Sequence, residues 1–281
     1  MTTYPNLIVI GAMKSGTTSL HHYLGIHPAI AMSEKKELDF FVHKENYANG
    51  IAWYQKHFDP TSPITGETSP SYSKTHVYPE VPENIYRFNP EMKLIYLVRD
   101  PIQRLVSHFY EAQEQGRAAS TIDEFLANYR DDNRVATSRY FMQLQAYLKF
   151  FPIEQIKVVC TEELRKDRLE VMNSIFSFLE VEHVNNVDIF DFKANTAKDK
   201  YRRSEMGKVL RAVNKNMLSK IFPEKSRKFL RNTSLMKQLI ERPIHTSTLS
   251  PSKIAELREY FSEDVNLLRK LTGKSFAEWS I

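Results

Sequence analysis

The chain has 281 residues, enough for one large α/β domain or two small ones with a sizeable buried core. Its hydrophobic content of 42% and charged content of 26% are ordinary for a soluble globular protein. No apolar run approaches the roughly 18 residues of a transmembrane helix, which excludes an integral membrane protein of that kind. The net charge of +5 favours an anionic partner.

The cellular compartment is predicted from the N-terminus and the cysteine content. The first six residues lead straight into an apolar run, without the basic region or cleavage site of a signal peptide. The single cysteine, Cys160, sits in another apolar run, cannot form an internal disulfide and is expected to be an inert core thiol. We therefore expect a cytoplasmic protein.

Strands and helices alternate along the chain. Apolar runs predict strands at 7–10, 93–98 and 156–160, and apolar residues at helical spacing predict helices after each strand. Further helices are predicted at 51–58, 139–150, 168–179 and 251–271. With no hairpin signal between the strands, this order predicts a three-layer α/β fold, in which helices flank a central parallel sheet.

Two polar segments interrupt this alternation. Residues 33–41 predict a loop that Phe40 and Phe41 anchor, with its charges presented to a cleft. Residues 66–76 are dense in turn-forming residues and hydrogen-bonding side chains.

The basic charge is concentrated late in the chain. Residues 205–242 contain ten basic and three acidic residues, a net charge of +7 that exceeds the total. We interpret 205–246 as a basic helical insertion in a single domain spanning 1–281. Its helix at 207–222 is either a lid or acceptor-selecting element, or a surface for an anionic membrane or a second copy. We expect no nucleic-acid partner and no stable membrane insertion, and the sequence does not indicate an oligomeric state.

The first strand runs into an anion-binding loop. Gly11 and Gly16 let the backbone pass close to a bulky anion, Lys14 adds a charge, and the following helix offers free amide groups. The loop is not a Walker A motif, because Lys14 precedes the second glycine instead of following it. The alternative is an ordinary strand-to-helix turn.

A second cationic residue follows the next long strand. Arg99 comes directly after residues 93–98, and ligands of parallel α/β sheets bind beyond the carboxyl ends of the strands. We therefore expect Arg99 and the Lys14 loop on the same rim. The alternative is that Arg99 pairs with Asp100 as a structural strand cap.

Together these features resemble the sulfotransferases that use 3′-phosphoadenosine 5′-phosphosulfate (PAPS), in the branch of the heparan sulfate enzymes and their bacterial relatives. The run from Lys14 to Ser19 is similar to their 5′-phosphosulfate loop. Leu97–Pro101, followed by Arg104 and Ser107, is similar to their 3′-phosphate element. Residues 36–41 resemble the passage that carries their catalytic glutamate. The resemblance implies the P-loop-like form of the α/β fold.

The resemblance also implies roles for individual residues. Lys14 would stabilise the leaving group, and Arg99 with Ser107 would hold the 3′-phosphate, with no metal required. The other phosphosulfate-loop residues would be Ser15, Gly16, Thr17, Thr18 and Ser19. A late basic loop would close over PAPS with Lys198, Arg202 and Arg203, for which a solvated charged face is the alternative. His21 and His22 lack neighbours at metal-ligand spacing, so no metal site is expected.

Two residues compete as the general base, and the alternatives are that both act together or that both are solvated surface residues. Glu37 matches the glutamate of the heparan-type enzymes and could take the proton of the acceptor. His76, in Lys74-Thr75-His76, matches the histidine of the small-molecule sulfotransferases.

The expected reaction is transfer of a sulfuryl group to a hydroxyl, or with less support to an amine. The acceptor would be a small molecule or a carbohydrate. Heparan-type enzymes often carry lysine where this chain has Thr68, which weakens the case for a sulfated polysaccharide. A metal-dependent kinase or NTPase, or a non-enzymatic anion-binding protein, are the alternatives of other classes.

Overall fold

The fold is built on a parallel sheet whose first strand, β1, is Leu7–Gly11. The computed structural model describes residues 4–42, 46–118, 121–191 and 247–281, together with the backbone of 201–203 and 241–243. By the packing of Cα atoms these residues belong to two compact units, one of 1–105, 128–194 and 251–281, the other of 106–127 and 195–250.

The first unit contains a five-stranded sheet in the order β2-β3-β1-β4-β5, in which every pair of neighbours is parallel. The other strands are Ile30–Met32 (β2), Ile64–Thr68 (β3), Lys93–Val98 (β4) and Ile156–Cys160 (β5). Because β1 is central, its carboxyl end lies between the ends of β3 and β4. The predicted parallel α/β fold is therefore confirmed.

Helices connect the strands. They are Thr17–Ile26 (α1), Ile51–Gln55 (α2), Val81–Phe88 (α3), Pro101–Glu114 (α4), Ile122–Phe125 (α5), Asn133–Ala136 (α6), Tyr140–Tyr147 (α7), Thr161–Lys166 (α8), Arg168–Leu179 (α9) and Pro251–Thr272 (α10). None of the helices among the described residues is long and apolar enough to cross a membrane.

The sheet is covered on both faces. On one face, Val9 and Leu97 pack with buried side chains of α1 and α9, such as Leu24 and Phe176. Residues alternate between the faces of a strand, so Tyr96 points the other way, and its ring meets Tyr140 of α7 at 5.9 Å. The core thus lies around β1 and β4, the two strands that end in the predicted anion-binding residues.

The second unit contains most of α4, all of α5 and a two-stranded antiparallel sheet of Tyr201–Arg203 (β6) and Glu241–Pro243 (β7). Phe109 of α4 packs against Phe125 of α5, with ring centroids 5.3 Å apart. Most of the predicted basic insertion, including the helix at 207–222, lies outside the described residues.

Strand β3 corrects the sequence interpretation of the segment that begins at Gly66. Turn-forming composition predicted an irregular segment from Gly66, but Gly66, Glu67 and Thr68 pair in register with β1. Glycine is needed here because a Cβ at Gly66 would lie 3.0 Å from the carbonyl oxygen of Leu7. Close packing against β1 thus overrides the weak strand propensity of this run.

Candidate active site

The loop after β1 has the conformation of an anion-binding turn. Lys14 and Gly16 both have positive φ angles, 70° and 93°, and Gly16 is the N-cap of α1. The amide groups of Thr17 and Thr18 stand in the first turn, where a helix offers no backbone acceptor. Ser15 and Thr17 are buried, whereas Thr18 is exposed. The loop therefore presents amides, a helix N-terminus and hydroxyls to the rim of the sheet.

Three consecutive carbonyl groups of this loop accept hydrogen bonds from its surroundings. Arg104 Nη1 donates to Met13 O at 3.4 Å, Arg99 Nη1 to Lys14 O at 3.3 Å, and Thr161 Oγ1 to Ser15 O at 2.6 Å. These bonds hold the carbonyl side of the loop backbone, and the Ser15 amide donates to Ala12 O at 3.1 Å within the loop. The amide groups of Thr17 and Thr18, in the first helical turn, are the ones that suit a ligand. The sequence did not predict the contribution of Thr161, although Thr161 directly follows β5 and therefore lies on the same rim.

Arg99 lies beside the loop at the end of β4, as predicted. The backbone carbonyl of Arg99 accepts a hydrogen bond from Tyr140 Oη at 2.7 Å, and Arg99 Nε is buried with no partner among the described residues. Burial lowers the pKa of Arg99, and the nearby charge of Arg165 lowers it further, while Glu162 opposes both. A partly desolvated guanidinium at the end of a strand suits an anionic ligand.

The carboxylate of Asp100 bonds to backbone amides and not to the guanidinium of Arg99. One carboxylate oxygen of Asp100 accepts the amide N–H groups of Ile102 and Gln103 and so caps α4, and the other accepts the N–H of Ser280 at 2.5 Å. The strand-cap alternative, in which Asp100 occupies the guanidinium of Arg99, does not describe this geometry.

Arg104, in the first turns of α4, is completely buried. Its Nε donates to Ser138 Oγ at 2.5 Å, and its Nη2 bonds to the carbonyl of Arg134. With Met13 O as a further partner, the guanidinium fixes the back of the loop to the segment around α6. Arg104 therefore supports the loop structurally.

Glu37 lies in the loop between β2 and α2. Its amide donates to Thr68 O at 2.9 Å, and Thr68 stands opposite Val9 of β1, two residues before Gly11. The carboxylate is 54% exposed and pairs with Lys36 Nζ at 2.6 Å. Phe40 and Phe41 are buried as predicted, so they anchor this loop while the Glu37 side chain remains accessible.

Thr68 has a partner that the sequence did not indicate. His21 Nδ1 lies 2.9 Å from Thr68 Oγ1, and His21 Nε2 lies 3.2 Å from Ser33 O. Burial lowers the pKa of His21, and the charge of Lys36 adds to this. A neutral imidazole thus bridges α1, β3 and the start of the Glu37 loop.

His76 is held by two amide side chains. Its Nε2 lies 2.7 Å from Asn133 Oδ1, and its Nδ1 lies 2.7 Å from Gln143 Nε2. Gln143 Oε1 also accepts the backbone N–H and the hydroxyl of Thr75, both at 2.8 Å. The Lys74-Thr75-His76 run is thereby fixed to α7, with both imidazole nitrogens of His76 engaged.

The remaining predicted site residues are only partly described. Ser19 is half-buried in the first turn of α1, and Ser107 is half-buried in α4, within the second compact unit. Arg202 pairs through its backbone with Arg242 across β6 and β7. Lys198 lies outside the described residues, and the roles of Lys198, Arg202 and Arg203 stay predictions.

Comparison with known proteins identifies the fold and the family. A family model described as "Sulfotransferase domain" matches residues 4–269. The crystal structure of a sulfotransferase from Alicyclobacillus acidocaldarius aligns over the whole of both chains with a TM-score of 0.68 and 22% sequence identity. That likeness concerns the fold, which includes the P-loop-like arrangement expected from the resemblance.

Curated relatives match in sequence over part of their length. Human heparan sulfate glucosamine 3-O-sulfotransferase 5 is 37% identical over 187 residues, which cover 62% of this chain and 53% of the relative. The membrane-associated sulfotransferase kil1 of Dictyostelium discoideum is 26% identical over 273 residues, covering 64% and 57%. The chain thus spans about half the length of the curated relatives that it matches.

Proposed function

Because the chain belongs to the sulfotransferase family, we propose that it transfers a sulfuryl group from PAPS to a hydroxyl of a carbohydrate or small-molecule acceptor. An amine acceptor has less support. The observation that carries the proposal is the Lys14 loop at the end of β1, with Arg99 hydrogen-bonded to it from the end of the neighbouring strand β4.

The described residues fit two separate anionic groups of this donor. The amides of Thr17 and Thr18, with the hydroxyls from Ser15 to Ser19, would hold the 5′-phosphosulfate at the N-terminus of α1. Arg99, whose buried Nε has no partner among the described residues, would hold the 3′-phosphate. A mononucleotide without a 3′-phosphate would leave Arg99 without an anionic ligand.

Sulfuryl transfer in this site is an in-line displacement. The acceptor oxygen forms a bond to sulfur as the bond from sulfur to the bridging oxygen breaks, and the electron pair leaves with the 5′-phosphate. Lys14 would stabilise the negative charge that develops on that oxygen, and Glu37 would take the proton from the acceptor. The proton of the acceptor thus ends on Glu37, and the electron pair ends on adenosine 3′,5′-bisphosphate, whose charge Lys14 stabilises.

Hydrogen bonding favours Glu37 over His76 as the base. A base needs a free lone pair within reach of the acceptor. The carboxylate of Glu37 is exposed beside Lys36, whereas both nitrogens of His76 already face Asn133 and Gln143. The imidazole nitrogen that carries no proton already accepts a hydrogen bond from Gln143, so His76 would have to give up that bond before taking a proton.

The acceptor is proposed from the relatives and from Thr68. The names of the heparan sulfate relatives support a carbohydrate. Thr68 bonds to His21 at the place where those enzymes often carry a lysine, which favours an acceptor with less negative charge than heparan sulfate. A cytoplasmic location stays a prediction.

The test is an acceptor screen with ³⁵S-labelled PAPS and the purified full chain. The panel contains heparan sulfate oligosaccharides, their desulfated forms, neutral sugars, phenols and amines. We expect label on a hydroxyl-bearing acceptor without added Mg²⁺. No transfer to any acceptor, together with turnover of ATP that requires Mg²⁺, would contradict the proposal and support a kinase or NTPase.

A further inference from the structure

Glu67, at the end of β3, is a fully buried carboxyl group that the proposed reaction does not use. Three hydroxyl groups donate to it. Tyr54 Oη and Tyr72 Oη lie 2.5 and 2.9 Å from Oε1, and Ser69 Oγ lies 2.6 Å from Oε2. A buried carboxylate is costly unless it is hydrogen-bonded, and this one is bonded to hydroxyls rather than to a cation.

Two of these hydroxyls also hold the loop that carries Glu37. Ser69 Oγ accepts the backbone N–H of Asp39 at 3.1 Å, and Tyr72 Oη accepts that of Phe41 at 3.3 Å. With the Glu37 amide on Thr68 O, every second amide from 37 to 41 is bonded to β3 or to the residues just after it. The third hydroxyl belongs to Tyr54, whose ring stacks on Phe40 at 4.3 Å.

The charge of Glu67 decides how these hydroxyls point. A hydroxyl has one proton, so Ser69 or Tyr72 can accept a loop amide and still satisfy Glu67 only by donating its proton to the carboxylate. An ionised carboxylate accepts only and can receive all three protons. A protonated Glu67 must itself donate to one hydroxyl, which reverses that bond and leaves the proton of the hydroxyl without its acceptor.

We propose that Glu67 is a positioning residue whose carboxylate orients Ser69 and Tyr72 to hold the 37–41 loop, and with it the Glu37 carboxylate, in its working position. The link to turnover rests on the proposed function, in which Glu37 is the base. The link to the order of the loop does not, because it rests only on the hydrogen bonds above.

The arrangement makes the loop sensitive to pH. Burial raises the pKa of Glu67 from its usual 4.5 to about 7, with hydrogen bonds from the three hydroxyls opposing and the charge of Asp39 adding to the rise. The titratable groups that face Glu67 are Tyr54 from α2, Tyr72 from the turn after β3, and Asp39 from the loop itself. The pKa values of both tyrosines are raised well above 10, so neither tyrosine ionises near neutral pH.

The test is amide hydrogen exchange of the 37–41 segment in the full chain at pH 6 and pH 8, corrected for intrinsic rates. In the unmodified protein we expect about tenfold stronger protection at pH 8 than at pH 6. E67Q should show weak protection at both values. E180Q, which neutralises an exposed carboxylate paired with Lys93, is the matched control and should behave as the unmodified protein does.

Single-hydroxyl variants keep the proposal testable if E67Q does not fold. S69A should speed exchange at amide 39, and Y72F at amide 41, while amide 37 remains protected through Thr68 O. Unchanged exchange in E67Q, or in both hydroxyl variants, would overturn the role of Glu67.

Turnover separates this inference from the proposed function. With the acceptor found in the screen, kcat of E67Q should fall about tenfold at pH 8 and lose its dependence on pH near 7, with KM for PAPS unchanged. If E37Q stays active while exchange depends on Glu67, the base assignment fails and the positioning role stands. If E37Q is inactive and E67Q exchanges normally, the reverse holds.

Discussion

Whether a side chain can act as a base in this site depends on which of its lone pairs are already used. Glu37 has one ionic partner, Lys36, and more than half of its side chain is exposed. His76 is exposed as well, but Asn133 and Gln143 take both of its nitrogens. The resemblance already favours Glu37, which matches the heparan-type branch, over His76, which matches the small-molecule enzymes. The hydrogen bonds add a second reason for the same preference.

Replacement of Glu37 by glutamine is expected to reduce kcat by about 10²–10⁴-fold, the range for removal of a general base. Binding of adenosine 3′,5′-bisphosphate, measured by calorimetry, should not change, because Glu37 is not among the residues proposed to hold the nucleotide. H76A serves as the comparison and should retain kcat within a few fold. If H76A were inactive and E37Q active, the base would be His76.

Arg99 is expected to make the protein bind a nucleotide that has a 3′-phosphate more tightly than one that lacks it. Adenosine 3′,5′-bisphosphate should raise the melting temperature by mass action, and AMP should raise it much less at equal concentration. R99K keeps the charge but loses the planar fork of two donors, so the difference between the two nucleotides should shrink.

Since Arg99 also holds the carbonyl of Lys14, the ratio of the two nucleotide effects is the informative quantity, rather than the absolute shift. R258A, in an exposed part of α10, controls for general loss of positive charge. Equal shifts from both nucleotides in the unmodified protein would contradict the 3′-phosphate assignment.

At the scale of elements, the anion-binding loop depends on the close approach of Gly11, at the end of β1, to Ser73. A Cβ atom on Gly11 would lie 2.2 Å from Ser73 Oγ and 2.7 Å from Ser73 Cβ, in the turn that follows β3. Glycine therefore lets β1 end directly against this turn. Any side chain at residue 11 would push apart the segments that carry Lys14 and Tyr72.

G11A is expected to lower the free energy of unfolding by about 1–3 kcal/mol, as overpacking of a core does, and to weaken nucleotide binding. Urea unfolding and calorimetry measure the two effects. Removal of the opposing side chain in the double variant G11A/S73G should restore part of both.

G25A is the matched control, because a Cβ at Gly25 meets nothing closer than 3.7 Å in helix α1. Helix propensity predicts that G25A stabilises the protein by up to about 1 kcal/mol. Equal effects of G11A and G25A would show that the approach of Ser73 imposes no constraint.

The sequence predicted the strands whose own residues form a recognisable apolar pattern. Strands β1, β4 and β5 are apolar runs interrupted only by Lys93 and Lys157, and the structure confirms all three. Strand β2 has only three residues, and β3 contains Gly66, Glu67 and two threonines, so neither shows a strand pattern. Both form because β1 gives β3, and β3 gives β2, a partner in register.

The same distinction applies to the site. Lys14 and Arg99 were predictable because each follows a strand of a parallel sheet, and such residues meet at one edge. The roles of Arg104, Thr161 and Tyr140 were not, since each depends on which distant carbonyl its side chain reaches. The sequence likewise cannot show that Glu67 is buried, because an acidic residue in a polar run is usually exposed.

For the molecule as a whole, Glu67 links stability and activity to pH in opposite directions. Because burial raises its pKa to about 7, the folded protein keeps a proton between pH 4.5 and 7 that the unfolded chain has released. The contribution of this group to stability is therefore full below pH 4.5, declines as pH rises and is lost above about pH 7. The folded protein is therefore less stable when Glu67 is ionised, and the ionised carboxylate is the form proposed to hold the Glu37 loop.

Unfolding by urea at pH 5, 6, 7 and 8 tests this linkage. Relative to E67Q, whose side chain cannot ionise, the unmodified protein should lose about 1–3 kcal/mol of unfolding free energy between pH 5 and pH 8, given about 1.4 kcal/mol per pKa unit. The difference between the two proteins removes the contribution of all other titrating groups.

E180Q should run parallel to the unmodified protein over this range, because Lys93 lowers the pKa of Glu180 and leaves it ionised throughout. Parallel curves for E67Q and the unmodified protein would mean that Glu67 titrates in the folded state as it does in the unfolded chain. If the unfolding free energy of the unmodified protein falls while its kcat rises through pH 7, and E67Q shows neither change, Glu67 causes both effects.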